Sequence, residues 1–220
     1  MTAHLGGFWD SMLGEGRRWW ITANSDSHVN WREGGSDFWP GEYSKTYVWA
    51  ERNHDAILEG IRDGRVFVTT GDLISDLSIT ARVNGEGVDV QIGGQFDVPA
   101  GGAVDVTVRF LDPATPNSHG DNPSVSRVDL IVGNVTGPVT DRSTDTNPTT
   151  RVVARFGESD WVIDDLYREA TFRLENVLAN SYLRVRGTDG TELEPEPDHL
   201  GEDPWSDLWF YSNPIFLHVR

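Results

Sequence analysis

The chain has 220 residues, 37 % hydrophobic and 10 % aromatic, which suffices for a packed core. With 35 acidic against 18 basic residues its net charge is −17, which argues against nucleic acid and anionic membranes as partners. The lack of cysteine excludes disulfides, thiolate metal sites and cysteine nucleophiles. No apolar run reaches the roughly 18 residues of a membrane-spanning helix, and the start, MTAHLGGFWDSML, lacks the basic stretch and apolar core of a signal peptide.

In chain order, FWDSMLG puts Phe8, Trp9, Met12 and Leu13 at helical spacing before Gly14 and Gly16. WWITA (19–23) reads as a short buried strand that stops at Asn24, Ser25, Asp26, Ser27 and His28. In an extended segment residues i and i+2 share a side, so Asp26 and His28 present a carboxylate and an imidazole to one cation. Zinc, manganese and iron all accept that donor pair. The plainer reading is an Asx-turn with an exposed histidine. His4, His54, His119, His199 and His218 are weak companions, being scattered over unrelated elements.

The next stretch, REGGSDFWPGEYSKTYV (32–48), is glycine-rich and aromatic. It is either a loop over a pocket, with Arg32 or the sole lysine, Lys45, meeting an anion, or a loop pinned by Phe38, Trp39 and Tyr43. KTYVWA (45–50) reads as a strand. NHDAILEGIRDG reads as a helix capped by Asn53, with Ile57 and Ile61 on one face and Gly64 at C′. RVFVTTG (65–71) is a further strand, and Thr69, Thr70 and Gly71 at its end either contact a substrate or cap the strand. Strand, helix and strand in this order suggest a βαβ-type unit.

From about residue 76 the period becomes two. DLSITARV puts Leu77, Ile79, Ala81 and Val83 on one face, and AVDVTVRF does the same with Val104, Val106, Val108 and Phe110. RVDLIV, TRVVARF, EATFRLE, SYLRVR and NPIFLHVR continue the pattern, separated by turn signals such as Asn84-Gly85. Seven or eight such strands imply an antiparallel β-sandwich. The acidic stretch 188–207 fits no EF-hand spacing and reads as a solvated loop. Asn134-Val135-Thr136 fits a glycosylation sequon near the chance rate.

The segments WDSMLGEGRRWWITANSDSH, GGSDFWPGEYSKTYVWA and ILEGIRDGRVFVTTGD resemble, in order, the last part of a PHP-type (polymerase and histidinol phosphatase) metallohydrolase, over residues 8–75. The resemblance implies an α+β chain: residues 1–75 as the C-terminal segment of a β/α barrel, residues 76–220 as a trailing antiparallel, Ig-like β-sandwich. It implies that Asp26 and His28 bind a divalent metal, zinc, manganese or iron, and that the complete enzyme acts on a small-molecule, phosphorylated substrate; Arg32, Lys45 and Thr70, from the loop and strand end read above, are the candidates to approach it. The implied activity is a metal-dependent phosphoesterase using a metal-bound hydroxide. The family's early His-x-His motif, bridging acid and mid-chain histidines have no counterpart here. The expectation is therefore a C-terminal portion, inactive alone, with an unfinished barrel edge that favours self-association or a missing N-terminal portion. The competing expectation is a non-catalytic β-sandwich module that binds carbohydrate or a partner chain, with Trp205, Trp209 and Tyr211 as a candidate platform.

Overall fold

A computed structural model describes residues 4–25, 27, 38–141, 143–195 and 203–220. Of the described residues 42 % lie in strands and 8 % in two helices. The two helices are α1 (Phe8–Gly14) and α2 (His54–Arg62). The strands are β1 (Ser44–Val48), β2 (Val66–Thr70), β3 (Asp76–Val83), β4 (Glu86–Gln91), β5 (Gln95–Val98), β6 (Gly102–Leu111), β7 (Arg127–Asn134), β8 (Arg151–Gly157), β9 (Val162–Asp164), β10 (Tyr167–Val177), β11 (Ser181–Thr188), β12 (Trp209–Ser212) and β13 (Ile215–Val219).

The strands form two sheets. The smaller runs β4-β3-β6-β10-β9, and the larger runs β1-β2-β12-β11-β13-β5 with β7 and β8 continuing from the other edge of β11. β12 and β13 pair in turn with the same edge of β11, β12 opposite Arg186–Thr188 and β13 opposite Ser181–Leu183. Pairing is antiparallel throughout, apart from the parallel β5–β13 contact. The core lies between the sheets. Leu77, Ile79 and Ala81 of β3 and Val104, Val106, Val108 and Phe110 of β6 face Val128, Leu130, Leu183, Val185, Phe210 and Leu217 of the larger sheet. The period-two alternation of these segments is the direct cause, since every second side chain turns inward.

The β/α barrel segment expected from residues 1–75 is not what forms: the described residues are nearly all β, in two antiparallel sheets, and no β/α barrel is evident among them. β1 and β2 are antiparallel neighbours, Ser44 opposite Thr70 and Val48 opposite Val66, and β2 joins β12. A βαβ unit demands parallel strands. Here the N–H of Trp49 donates to the carbonyl of Arg65 at 2.9 Å, which closes α2 into the end of a hairpin. The helix rests on that end at Gly60, where any Cβ would lie 2.7 Å from Val48 Cγ1. Its caps follow sequence logic: Asn53 accepts from the Ala56 N–H at 2.9 Å, and Gly64 takes φ +72°.

WWITA is not a strand either. Residues 17–25 form a strap without a backbone ladder, and Trp19 is 50 % exposed. Trp20 and Ile21 pack on a second cluster of Trp9, Leu13, Tyr182 and Phe216, on the face of the larger sheet away from the sandwich core. α1 covers the same face.

Candidate functional site

β1 is the edge strand of the larger sheet, and the strap runs along its open side. The Thr46 hydroxyl accepts from the Ala23 N–H at 2.9 Å and donates to the Ala23 carbonyl at 2.8 Å. Ser44 donates to the Asn24 carbonyl at 2.7 Å. One element away, Asn213 in the break between β12 and β13 accepts from the Ile21 N–H at 2.8 Å. Side chains thus replace the missing ladder at residues 21, 23 and 24. Among the described residues the buried Nδ2 of Asn213 has no partner of its own.

Between strap and strand opens a depression of about 620 Å³, lined by Ala23, Asn24, Ser25, Pro40, Gly41, Ser44, Lys45, Thr46 and Tyr47. The size suits a small ligand. Lys45 is ion-paired with Asp72, just past the end of β2, and both side chains are about one quarter exposed, 26 % and 23 %. Tyr47 stacks on Phe67 at 4.8 Å, and burial, with the Asp72 charge adding to it, holds its hydroxyl above the ordinary range. Among the described residues lining the depression, Lys45 is the one basic side chain, and Asp72 already pairs with it.

Of the residues singled out in the sequence, Asp26, His28 and Arg32 lie outside the described residues. Ser25, one peptide before Asp26, lines the depression. Lys45 lines it too, but Thr70 does not join it. Thr70 is opposite Ser44 in the register and shares its face, but it lies on β2, one strand further from the sheet edge. Its hydroxyl accepts from the Trp209 N–H at 2.9 Å and donates to the Trp209 carbonyl at 3.3 Å, which is strand capping. Among the described residues no group of three or more His, Asp or Glu side chains is placed to hold a metal ion.

Of the three rings considered as a binding platform, Trp209 is buried and Trp205 and Tyr211 are partly buried. Trp209 stacks with Tyr211 at 6.2 Å. Trp205 is enclosed by Tyr43, Phe38 and His119, with centroids at 5.2, 5.5 and 4.9 Å. His119 is fixed in turn by Asp121, 2.6 Å from its Nδ1.

Sequence reasoning passed over the groups that hold this region together. Asp72 has only the strand-end pattern Thr-Thr-Gly-Asp to announce it. Arg184 and Arg186 alternate with Leu183 and Val185, a pattern that ordinarily puts arginine in solvent, yet both are fully buried. Arg184 pairs with Asp10 of α1, and Arg186 with Asp129 and Glu194. Among the described residues no helix is long and apolar enough to cross a membrane. No family model, curated protein or solved structure matches this chain.

Proposed function

We propose that this chain takes part in a metal-dependent hydrolase of the PHP type, with phosphate esters as substrate class and Asp26 and His28 as two of the metal ligands. The observation that carries the reading is the clamped strap. Thr46, Ser44 and Asn213 fix residues 21–24, and the chain reaches Ser25 on the wall of a depression that also bears Lys45. The Ser-Asp-Ser-His sequence thus continues from a rigidly held backbone, as a ligand pair needs. A carboxylate and an imidazole two residues apart are suitable donors for zinc or manganese. Two donors are too few for a complete site, so the reading requires at least one further ligand. A bound metal would supply Lewis-acid activation of the phosphate ester. For this chain's own residues, the reading gives Lys45 the role of attracting the ester's negative charge, with Asp72 holding the ammonium in place.

The test is zinc affinity by competition with a chromophoric chelator, on the wild-type chain and an Asp26→Ala/His28→Ala variant. Zinc bound by the wild type and weakened at least about tenfold in the variant supports the reading. Equal affinity in both overturns it.

A further inference from the structure

The smaller sheet ends in β9, which pairs with β10 and with no other strand among the described residues. This edge is apolar. Val162 is 71 % exposed, Ile163 61 % and Leu166 36 %. It is also firmly held. Trp161, immediately before it, is buried edge-on against Phe110 at 5.5 Å. Upstream, Asp160 accepts from the Gly157 N–H at 2.7 Å and closes the turn from β8. β8 is itself one of the edge strands of the larger sheet among the described residues, so one short turn joins an open edge of each sheet.

Proteins blunt an edge by charging or kinking it. At β9 the charges lie around the apolar residues instead. Glu158, Asp160, Asp164 and Asp165 are all exposed, and no lysine or arginine occurs between Arg155 and Arg168. From the neighbouring strands, Arg109 reaches Asp164 only at 4.0 Å, because its guanidinium lies over the Tyr167 ring at 3.5 Å. Arg168 is turned to the Leu166 carbonyl and to Asp112, and Glu169 on β10 pairs with Arg109 at 3.8 Å, so the uncompensated acids are those of the 158–165 segment. The result is a preformed strand edge with two exposed β-branched side chains inside an acidic ring.

We propose that β9 is a docking edge for an extended, basic and apolar segment of a partner protein, added as a further strand. Main-chain hydrogen bonds and apolar contact with Val162 and Ile163 supply the binding, and the acidic ring selects lysine or arginine in the partner. A second copy of this chain is a poor occupant, since it brings the same acids on a body of net charge −17.

The probe is a ten-residue peptide alternating lysine and valine, compared with its glutamate–valine counterpart in about 0.15 M salt, where nonspecific attraction is screened. The readouts are amide hydrogen exchange along the chain, peptide affinity and light scattering. The lysine peptide should slow exchange at residues 162–166. Ile163→Asp and Asp164→Asn/Asp165→Asn should each weaken it about tenfold, with the melting temperature retained. The glutamate peptide should protect nothing. Protection at another edge such as β4, wild-type affinity in both variants, or a peptide-free dimer protected along β9 would each overturn the proposal.

Discussion

Asp10 and Arg184 form a two-point ion pair sealed between α1 and the larger sheet. Nε lies 2.8 Å from Oδ1 and Nη2 2.7 Å from Oδ2, with the side chains 1 % and 0 % exposed. The same carboxylate accepts from the Tyr182 hydroxyl at 3.0 Å and the Gly6 N–H at 2.8 Å, and the guanidinium covers the Trp9 ring at 4.9 Å. α1 has seven residues, too few to be helical alone, so it depends on tertiary contacts such as this pair and the buried Trp9 and Leu13. Asp10→Ala should destabilise the protein by about 3–5 kcal/mol, because it strands a buried cation whose Nη1 has no partner among the described residues. Asp10→Leu combined with Arg184→Met should recover most of that loss. Urea denaturation of the three proteins checks both statements.

Two acids give stability opposite dependences on pH. Burial pushes the Glu194 carboxyl up, but hydrogen bonds and charge from Arg186 outweigh it and bring it below its ordinary value of 4.5. A depressed carboxylate contributes stability that is full above the unfolded value and is lost as pH falls through the folded one. Asp189 is raised above 3.8 by burial, against the opposing hydrogen bond from the Leu208 N–H. Below that value the folded state bears no penalty from it, and stability is lost as pH rises through the folded value. Glu194→Gln should therefore flatten the acid limb of the stability curve. Asp189→Asn, which keeps the acceptor for Leu208, should raise the urea midpoint at neutral pH and leave it unchanged near pH 3.

The inward faces of β3 and β6 were legible because alternation has a single cause, and so were the caps of α2, because Asn53 and Gly64 satisfy local rules. The direction of β2 was not. A helix between two strands gives the same pattern whether it crosses a sheet or closes a hairpin, and only the Trp49–Arg65 hydrogen bond decides between them. The strap was misleading for a related reason. Trp20 and Ile21 are apolar because they pack on Phe216 and its neighbours, not because they line a strand. At the site, Lys45 stood out by being unique, whereas its partner Asp72 is 27 residues away and is recognised only after folding.

Gly64 links α2 to the strap and should not tolerate alanine. Its φ of +72° disfavours any side chain, and a Cβ would lie 2.4 Å from Trp20 Cδ2, under a ring whose Nε1 donates to the Arg62 carbonyl at 2.8 Å. Gly64→Ala should lower stability by about 1–3 kcal/mol and shift the tryptophan emission as Trp20 moves. In a Trp20→Leu background the steric part should vanish and only the backbone part remain. A double-mutant cycle with no coupling between the two positions would contradict this contact.

Thr46 is the residue whose loss should loosen the strap with little effect on the sandwich. Its hydroxyl makes both bonds to Ala23, and neither has a backbone substitute. Thr46→Val keeps the shape and the strand propensity and removes both bonds. At about 1 kcal/mol for each hydrogen bond, exchange of the Ala23 amide should accelerate by roughly five- to thirtyfold. Amides of β6 and β7, protected by the core, should exchange as in the wild type. Thr46→Ser, which retains the hydroxyl, should restore slow exchange at Ala23. If the strap also presents a metal-binding pair, zinc affinity should fall in the valine variant and return in the serine variant, in step with exchange at Ala23. Loosening without any change in zinc affinity would confine Thr46 to a structural role.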